Sequence, residues 1–437
     1  VPAADRPEDS TPDPAALLAP LAGRQGLVLA VSGGPDSTAL MWLAARWAAR
    51  PPVLVVSVDH GLRPEAAEEA RLVAANAERL GLPCRLMRPA GMALHGNRQA
   101  AARAARYDCL VAAAREAGCD TIVTAHHRDD QAETLLLRLA RGSGIYGLAA
   151  MAPEVEIDGI RLARPLLGVS GGALKAVAEA SGLPLVHDPS NLEPRYDRVR
   201  MRALMPALTA EGLTAERLAE TAERLRSAAQ ALDGLATAVL AEEVAVDELG
   251  VARGRIDALR EVHPEIGRRA LARLLQAVGG TAYTPRFDRL QSLFAFLAEA
   301  RKRPEPTRRT LNNVLLTVRG AAFTAEREWG RGLPRQPLPP GGLVWDGRFR
   351  LEADGDDDLE VGPLAAAGHP ALGGQARPGL PALPALFRGG DLVAVPEIDE
   401  LPTTIPDAAT FPVWCLVAHR LQDPRAIGGL APADPND

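Results

Sequence analysis

Leu27-Val28-Leu29-Ala30-Val31-Ser32-Gly33-Gly34-Pro35-Asp36-Ser37-Thr38 is the stretch on which the fold turns. Its apolar start carries no polar residue and reads as a strand buried on both faces. The strand runs straight into two glycines, and a helix is expected from Thr38. Such a corner cradles phosphate. Gly33 and Gly34 let the backbone approach oxygens closely, while the unpaired N–H groups and the positive dipole end of the helix favour an anion. Ser32 and Ser37 add hydroxyl donors. No lysine stands in the loop, so it is not a Walker sequence, and Asp36 is placed instead to hold Mg²⁺ on a pyrophosphate. The alternative is an ordinary glycine turn capped by Asp or Ser.

Outward from this loop, apolar runs at 53–58, 84–87 and 121–125 alternate with helical patterns at 38–50, 64–80 and 98–117. Each strand-and-helix period is about 30 residues, the mark of a parallel sheet flanked by helices. The expected fold class is therefore α/β, a parallel-sheet nucleotide-binding domain followed by a helical domain and a small carboxyl-terminal region. Leu218, Leu225, Leu232 and Leu235 recur at helical spacing, and helices continue at 264–278 and 285–300 before a strand-like alternation at 314–318. Beyond Trp329 the chain turns to Gly, Pro and short apolar runs, which predicts a β-rich or partly irregular end. The boundaries expected are a flexible segment at 1–22, the nucleotide-binding domain at 23–210, a helical domain at 211–330, and the last region at 331–437. No internal repeat is present.

The chain has 437 residues, 47% of them hydrophobic and 24% charged, enough apolar material for more than one core. Cys84, Cys109, Cys119 and Cys415 form no C-x-x-C pair, so neither a zinc ribbon nor an iron–sulfur site is signalled. A reducing cytoplasm suits them. No apolar run approaches the roughly 18 residues of a membrane span, and no membrane partner is expected. A net charge of −6 means that any polyanionic partner must meet basic residues gathered on one surface. Nearly all of that positive charge is arginine, since Lys175 and Lys302 are the only lysines.

Chemistry-bearing residues cluster where strands end. Asp59-His60-Gly61-Leu62-Arg63-Pro64 follows the second strand, at the edge where open α/β sheets bind ligands. The fourth leads into Thr124-Ala125-His126-His127-Arg128-Asp129-Asp130-Gln131-Ala132-Glu133. Asp130 and Glu133 lie three apart on a helical start, hence on one face, where together they could grip an amino-acid ammonium. Asp129 has the plainer role of helix N-cap open to it. Zinc on His126 and His127 is the competing reading, but adjacent histidines point apart. Arg103 and Arg106 sit in an Ala-rich helical stretch, either as solvated charges or as partners of phosphate. Finally Arg195, Arg198, Arg200 and Arg202 fall within one short segment after Asp188-Pro189-Ser190-Asn191. In a strand they would share a face; in a helix they would splay, with one free to bind a carboxylate. A second basic run joins Arg301-Lys302-Arg303 to Arg308-Arg309.

The loop Ser32–Ser37 resembles the SGGxDS loop of the ATP pyrophosphatase superfamily, which cleaves ATP between the α and β phosphates. At finer grain the chain resembles the tRNA(Ile)-lysidine synthetase family over residues 24–208: in that loop, in Asp59–Pro64, in Arg103–Tyr107, in His126–Gly144 and in the Asp188–Asn191 segment with the arginines after it. Val199 stands where the family usually has Asn, Asn312-Asn313 replaces its usual glycines, and few of its carboxyl-terminal residues remain. The resemblance implies ATP-dependent adenylation of the wobble cytidine of an isoleucine tRNA with a CAU anticodon, then attack by free L-lysine. It assigns ATP binding to Ser32, Gly33, Gly34, Pro35, Asp36, Ser37, Asp59, His60, Gly61 and His126. Asp36, Arg103, Arg106, Asp130 and Glu133 are the expected catalytic residues, with lysine on Asp130 and Glu133, and tRNA on Arg195, Arg198, Arg200 and Arg202. A homodimer is left open. The rival readings are a tRNA 2-thiolation enzyme, which would need sulfur-carrying cysteines, and a tRNA-binding protein with a degenerate loop.

Overall fold

The computed structural model describes residues 12–59, 65–89, 98–157, 159–186, 193, 197–281, 283–330, 332–339, 341–352, 358–368, 377–398 and 409–423. By the density of its contacts the chain forms two compact units, Val1–Ala229 with Pro432–Asp437, and Gln230–Ala431.

The first unit is built on a six-stranded sheet of β1 (Leu27–Ala30), β2 (Val53–Val58), β3 (Cys84–Met87), β4 (Thr121–Val123), β5 (Glu154–Ile157) and β6 (Ile160–Ala163), in the order β3-β2-β1-β4-β6-β5. Neighbouring strands are parallel except for the β5–β6 hairpin at one edge. Helices on both faces explain the uninterrupted apolar runs of the central strands. Leu27, Leu29, Val31 and Val55 pack with Leu40, Met41, Leu43, Leu174 and Val177 on one side. Val28, Ala30, Val56 and Ile122 face Leu110, Val111 and Ala114 on the other. The helices are α1 (Pro14–Leu18), α2 (Pro35–Arg46), α3 (Ala66–Arg79), α4 (Arg98–Glu116), α5 (Arg128–Ala140), α6 (Ile145–Leu148), α7 (Gly171–Ala180) and α8 (Asp197–Ala210), with α9 (Ala215–Glu243) crossing the boundary between the units.

Strand order reverses at β1. Its chain successor β2 lies on one side and β4 on the other, which opens a crevice at the carboxyl ends of β1 and β4.

The second unit holds the expected helices at Pro264–Gly279 and Phe287–Ala300, and in addition a five-stranded antiparallel sheet. Val314–Arg319, the one strand expected there, pairs on either side with Thr307–Leu311 and Ala322–Arg327. Those neighbours carry arginine and threonine on their solvent face, which breaks the apolar signal that a sequence reading needs. Further on, Arg327 and Arg348, 1% and 0% exposed in their side chains, share Asp346 at 3.0 and 2.8 Å.

Candidate active site

The phosphate loop fills the crevice from the β1 side. The helix after it begins three residues earlier than expected, at Pro35, because a proline at the first helical position gives up no N–H that the helix needs. Gly34 is the N-cap and offers no side-chain oxygen, so the first-turn N–H groups remain pointed at the crevice. Gly33 has φ +87°, and a Cβ there would stand 2.5 Å from Val186 Cγ2. Its carbonyl also accepts from Val186 N–H at 2.9 Å, which ties the chain after α7 onto the loop. Ser37 Oγ takes the Ser32 N–H at 3.2 Å and donates to the Gly34 carbonyl at 3.1 Å, fixing the loop from within.

From the β4 side come the two histidines, and they part company. His127 caps α5 and faces three carboxylates: Asp36 Oδ2 and Asp130 Oδ2, each 3.6 Å from Nε2, and Asp129 Oδ2 at 3.3 Å from Nδ1. Burial alone would lower its pKa, but bonds to Asp129 and Asp36 and the charge of Asp130 lift it to about 10. His127 is thus an imidazolium at neutral pH. A protonated Nδ1 cannot accept the Asp129 N–H that lies 3.2 Å away, so this nitrogen donates to the Asp129 carboxylate instead. The bond from His127 holds the Asp129 carboxyl down at about 2, against a smaller opposing effect of burial. Asp129 is not the N-cap. It lies inside the helix, and its carboxylate reaches out to accept the Gly171 N–H at 2.6 Å. Asp130 accepts the His127 backbone N–H at 2.9 Å.

His126 turns the other way, with Nδ1 at 2.8 Å from Thr124 Oγ1. Burial, then the charges of Arg164, Arg198, Arg103 and Arg106, hold its pKa well below the ordinary value, so this ring is neutral. Neighbouring residues on one chain therefore carry opposite protonation states, set by carboxylates around His127 and by burial, with guanidiniums adding to it, at His126. Nothing among the described residues groups three or more His, Cys, Asp or Glu as metal ligands.

The arginine segment is helical: α8 carries Arg198, Arg200 and Arg202, which splay as helical geometry demands. Arg202 binds Glu133, with Nε 2.8 Å from one carboxylate oxygen and Nη2 3.3 Å from the other. Glu133 is 1% exposed, and burial raises its carboxyl despite that pairing. Arg200 pairs with Asp197 on the surface. Arg198 is different, for its Nε and Nη2 are buried with no hydrogen-bond partner. Asp59 sits at the end of β2, 3.8 Å from Arg88. His60, Gly61 and Arg195 lie outside the described residues. In the second unit the other basic run is engaged locally, Arg301 with Asp257 at 2.7 Å and Lys302 with Glu299 at 3.0 Å.

Sequence reading did not single out Arg164, which follows β6 and donates through Nη1 to the Ala152 carbonyl at 2.8 Å. Nor did it find Tyr107 among the site's polar groups or His127 as the centre of a carboxylate group. A lone arginine after a short strand gives no signal. The density of acids around His127 was the signal available for the latter.

A largely parallel sheet with a glycine-rich phosphate loop after β1 is the layout of a PP-loop ATP-binding domain, and the PP-loop domain family matches residues 11–208. The chain is 47% identical over 299 residues to the tRNA(Ile)-lysidine synthase of Methylobacterium sp. (strain 4-46), covering 68% of this chain and 87% of that one. It is 44% identical to the enzyme of that name from Rhodopseudomonas palustris (74% and 94% covered) and 40% identical to that from Ruegeria pomeroyi (85% and 88% covered). The chain belongs to the tRNA(Ile)-lysidine synthase family. No helix among the described residues is long and apolar enough to cross a membrane.

Proposed function

We propose that this crevice joins lysine to C2 of the wobble cytidine of isoleucine tRNA with a CAU anticodon, in two steps. First the C2 oxygen attacks the α-phosphate of ATP and pyrophosphate departs. Then the ε-amine of lysine, having lost its proton, attacks C2; the C2–O bond breaks and AMP leaves. The single observation that carries the reading is the juxtaposition of the phosphate loop with an acidic corner at one topological switch point.

The loop's first-turn N–H groups and the hydroxyl of Ser32 are suited to hold the leaving pyrophosphate, with Ser37 bracing the loop through Gly34. Asp36 fits as a Mg²⁺ ligand, because its carboxylate is 41% exposed beside the loop and Mg²⁺ on a nucleotide commonly takes only one or two protein carboxylates. When bound, the ion would neutralise charge on the phosphates. Arg103 and Arg106, near the start of α4, are the arginines we assign to offset charge on the α-phosphate. Neutral His126 is a hydrogen-bonding neighbour for the nucleotide, without a charge of its own. Asp130 and Glu133 remain the pair proposed for the lysine ammonium, with Arg202 the cation already resting on Glu133. Among the arginines proposed for tRNA, Arg198 has donor capacity unspent within the protein.

The test is incubation of CAU-anticodon isoleucine tRNA with ATP and labelled lysine, following pyrophosphate release and nucleoside mass. Asp36→Ala should lower pyrophosphate release by at least about 100-fold, the size of effect seen when a preorganised charge-stabilising group is removed. An unchanged melting temperature should accompany it. Release at the wild-type rate in saturating Mg²⁺ would remove Asp36 from the metal site.

A further inference from the structure

The peptide joining Gly33 to Gly34 is the least constrained unit of the phosphate loop, because neither flanking residue has a Cβ to bar its rotation. Its orientation decides where one loop N–H points. In a planar trans peptide the carbonyl and the following N–H face opposite ways, so whatever holds the Gly33 oxygen also aims the Gly34 N–H. Two donors hold that oxygen. Thr38, fully buried on α2, reaches back with its Oγ1 hydroxyl at 3.2 Å, and the Val186 N–H stands at 2.9 Å. No acceptor among the described residues takes the Gly34 N–H, which is left for a ligand.

Val186 is itself held in place. It ends a short strap, 183–186, that follows α7 and packs Leu183 and Leu185 against the core of the first unit. Asn76, on α3, donates through Nδ2 to the Pro184 carbonyl at 2.9 Å, two residues before Val186. Val73, one turn earlier on the same face of α3, crowds the loop from the other side. A Cβ on Gly33 would meet Val186 Cγ2 at 2.5 Å and Val73 Cγ2 at 3.2 Å. Asn76 is 1% exposed, and its Oδ1 has no hydrogen-bond partner. An apolar side chain would fill that position without stranding a polar atom, so packing alone does not account for a half-satisfied amide. Its one side-chain bond, to the strap, does.

We propose that Thr38 and Asn76 are positioning residues for adenylation. Thr38 fixes the Gly33–Gly34 peptide directly, and Asn76 fixes it through the strap and Val186. The Gly34 N–H is thereby preorganised toward the phosphates, where negative charge grows as pyrophosphate departs. A flipped peptide would present the Gly33 carbonyl there instead, replacing a donor with a repelling oxygen. Neither side chain touches ATP, since both are buried and already bonded to backbone carbonyls. The inference rests on the proposed reading that ATP is attacked at its α-phosphate in this crevice.

The experiment is single-turnover pyrophosphate release by the full chain in excess over ATP, with CAU-anticodon isoleucine tRNA and no lysine, for wild type, Thr38→Val, Thr38→Ser and Asn76→Leu. The first-order rate constant is the readout, because a partly misfolded variant loses amplitude while its intact molecules keep their rate constant. Removing an oxyanion donor costs about 100- to 1,000-fold; here the donor stays and one of its fastenings goes, so Thr38→Val and Asn76→Leu should each lower the rate constant about 10-fold. Thr38→Ser keeps the hydroxyl and should keep the wild-type value. The lysine KM in steady-state lysidine formation should not move in any of them. Asn76→Leu decides the matter should Thr38→Val fail to fold. Wild-type rate constants in the variants that fold, a fall in Thr38→Ser as deep as in Thr38→Val, or a loss of amplitude alone with a lowered melting temperature would overturn the inference. If wild type itself releases no pyrophosphate with this tRNA, it is the proposed function that fails.

Discussion

Replacing Glu133 by Gln should leave the fold nearly as stable as before while impairing lysine transfer. Glu133 is 1% exposed, and its carboxyl is raised above 4.5 because burial outweighs the pairing with Arg202. From the other partner the contact is favourable: burial pulls Arg202 down, but Glu133, Asp130 and Asp36 more than offset it. A carboxyl raised in the folded state contributes stability that is complete below its unfolded pKa and lost as pH rises through the folded one. Ionising Glu133 in the folded protein therefore costs stability. Gln removes that cost and still accepts a bond from Arg202, so stability should stay within about 1 kcal/mol of wild type or improve. Arg202→Ala instead strands a buried carboxylate. A fully buried pair would lose about 3–5 kcal/mol. Arg202 is 57% exposed, so screening brings the expectation to about 1–2 kcal/mol. Urea denaturation of both variants at pH 5 and pH 7 checks the order, and the advantage of Gln should widen with pH. The apparent lysine KM of Glu133→Gln should rise about 30-fold, the equivalent of about 2 kcal/mol for a lost charged hydrogen bond. Glu133→Gln proving less stable than Arg202→Ala, with a wild-type lysine KM, would refute the reasoning.

Gly33→Ala should cost about 1–3 kcal/mol by thermal melting and reduce ATP use, since φ is +87° and the new Cβ would collide with Val186. NMR of the ring protons in metal-free protein should find His127 charged at pH 8, with the stability it adds lost as pH rises through about 10, and His126 neutral at pH 6. Matching titrations near 6.5 for both rings would contradict the separation of charges. Asp346→Ala should destabilise the second unit by about 3–5 kcal/mol, because it leaves Arg327 and Arg348 buried without their shared carboxylate. A denaturation midpoint equal to wild type would show that pair to be satisfied elsewhere.

The central sheet was legible because strands buried on both faces are written as unbroken apolar runs, as in Val53–Val58, and because a phosphate loop needs glycine at fixed places. Strand ends were less clear, since Val31 continues the apolar run one residue beyond the end of β1. The β5–β6 hairpin went unseen because Glu154, Glu156 and Arg161 alternate with apolar residues at a solvent edge. At the site, residue types predicted which groups gather, but not which pair. Arg202 and Glu133 lie 69 positions apart and meet only through the docking of α8 on α5. Whether an arginine run faces one way also depends on helix or strand, and alternation with Val199 and Met201 suited a strand as well as the helix that forms.

Lys175, on α7, and Lys302, in the turn after the helix Phe287–Ala300, are each exposed beside a glutamate, Glu179 and Glu299. An enzyme whose intermediate is an activated cytidine hunting for an amine has reason to keep its own amines few. With arginine supplying nearly all its positive charge, the chain offers that electrophile almost no primary amine of its own. Free lysine then meets little competition from the catalyst itself, and the risk of the protein becoming covalently attached to its own RNA substrate is correspondingly small.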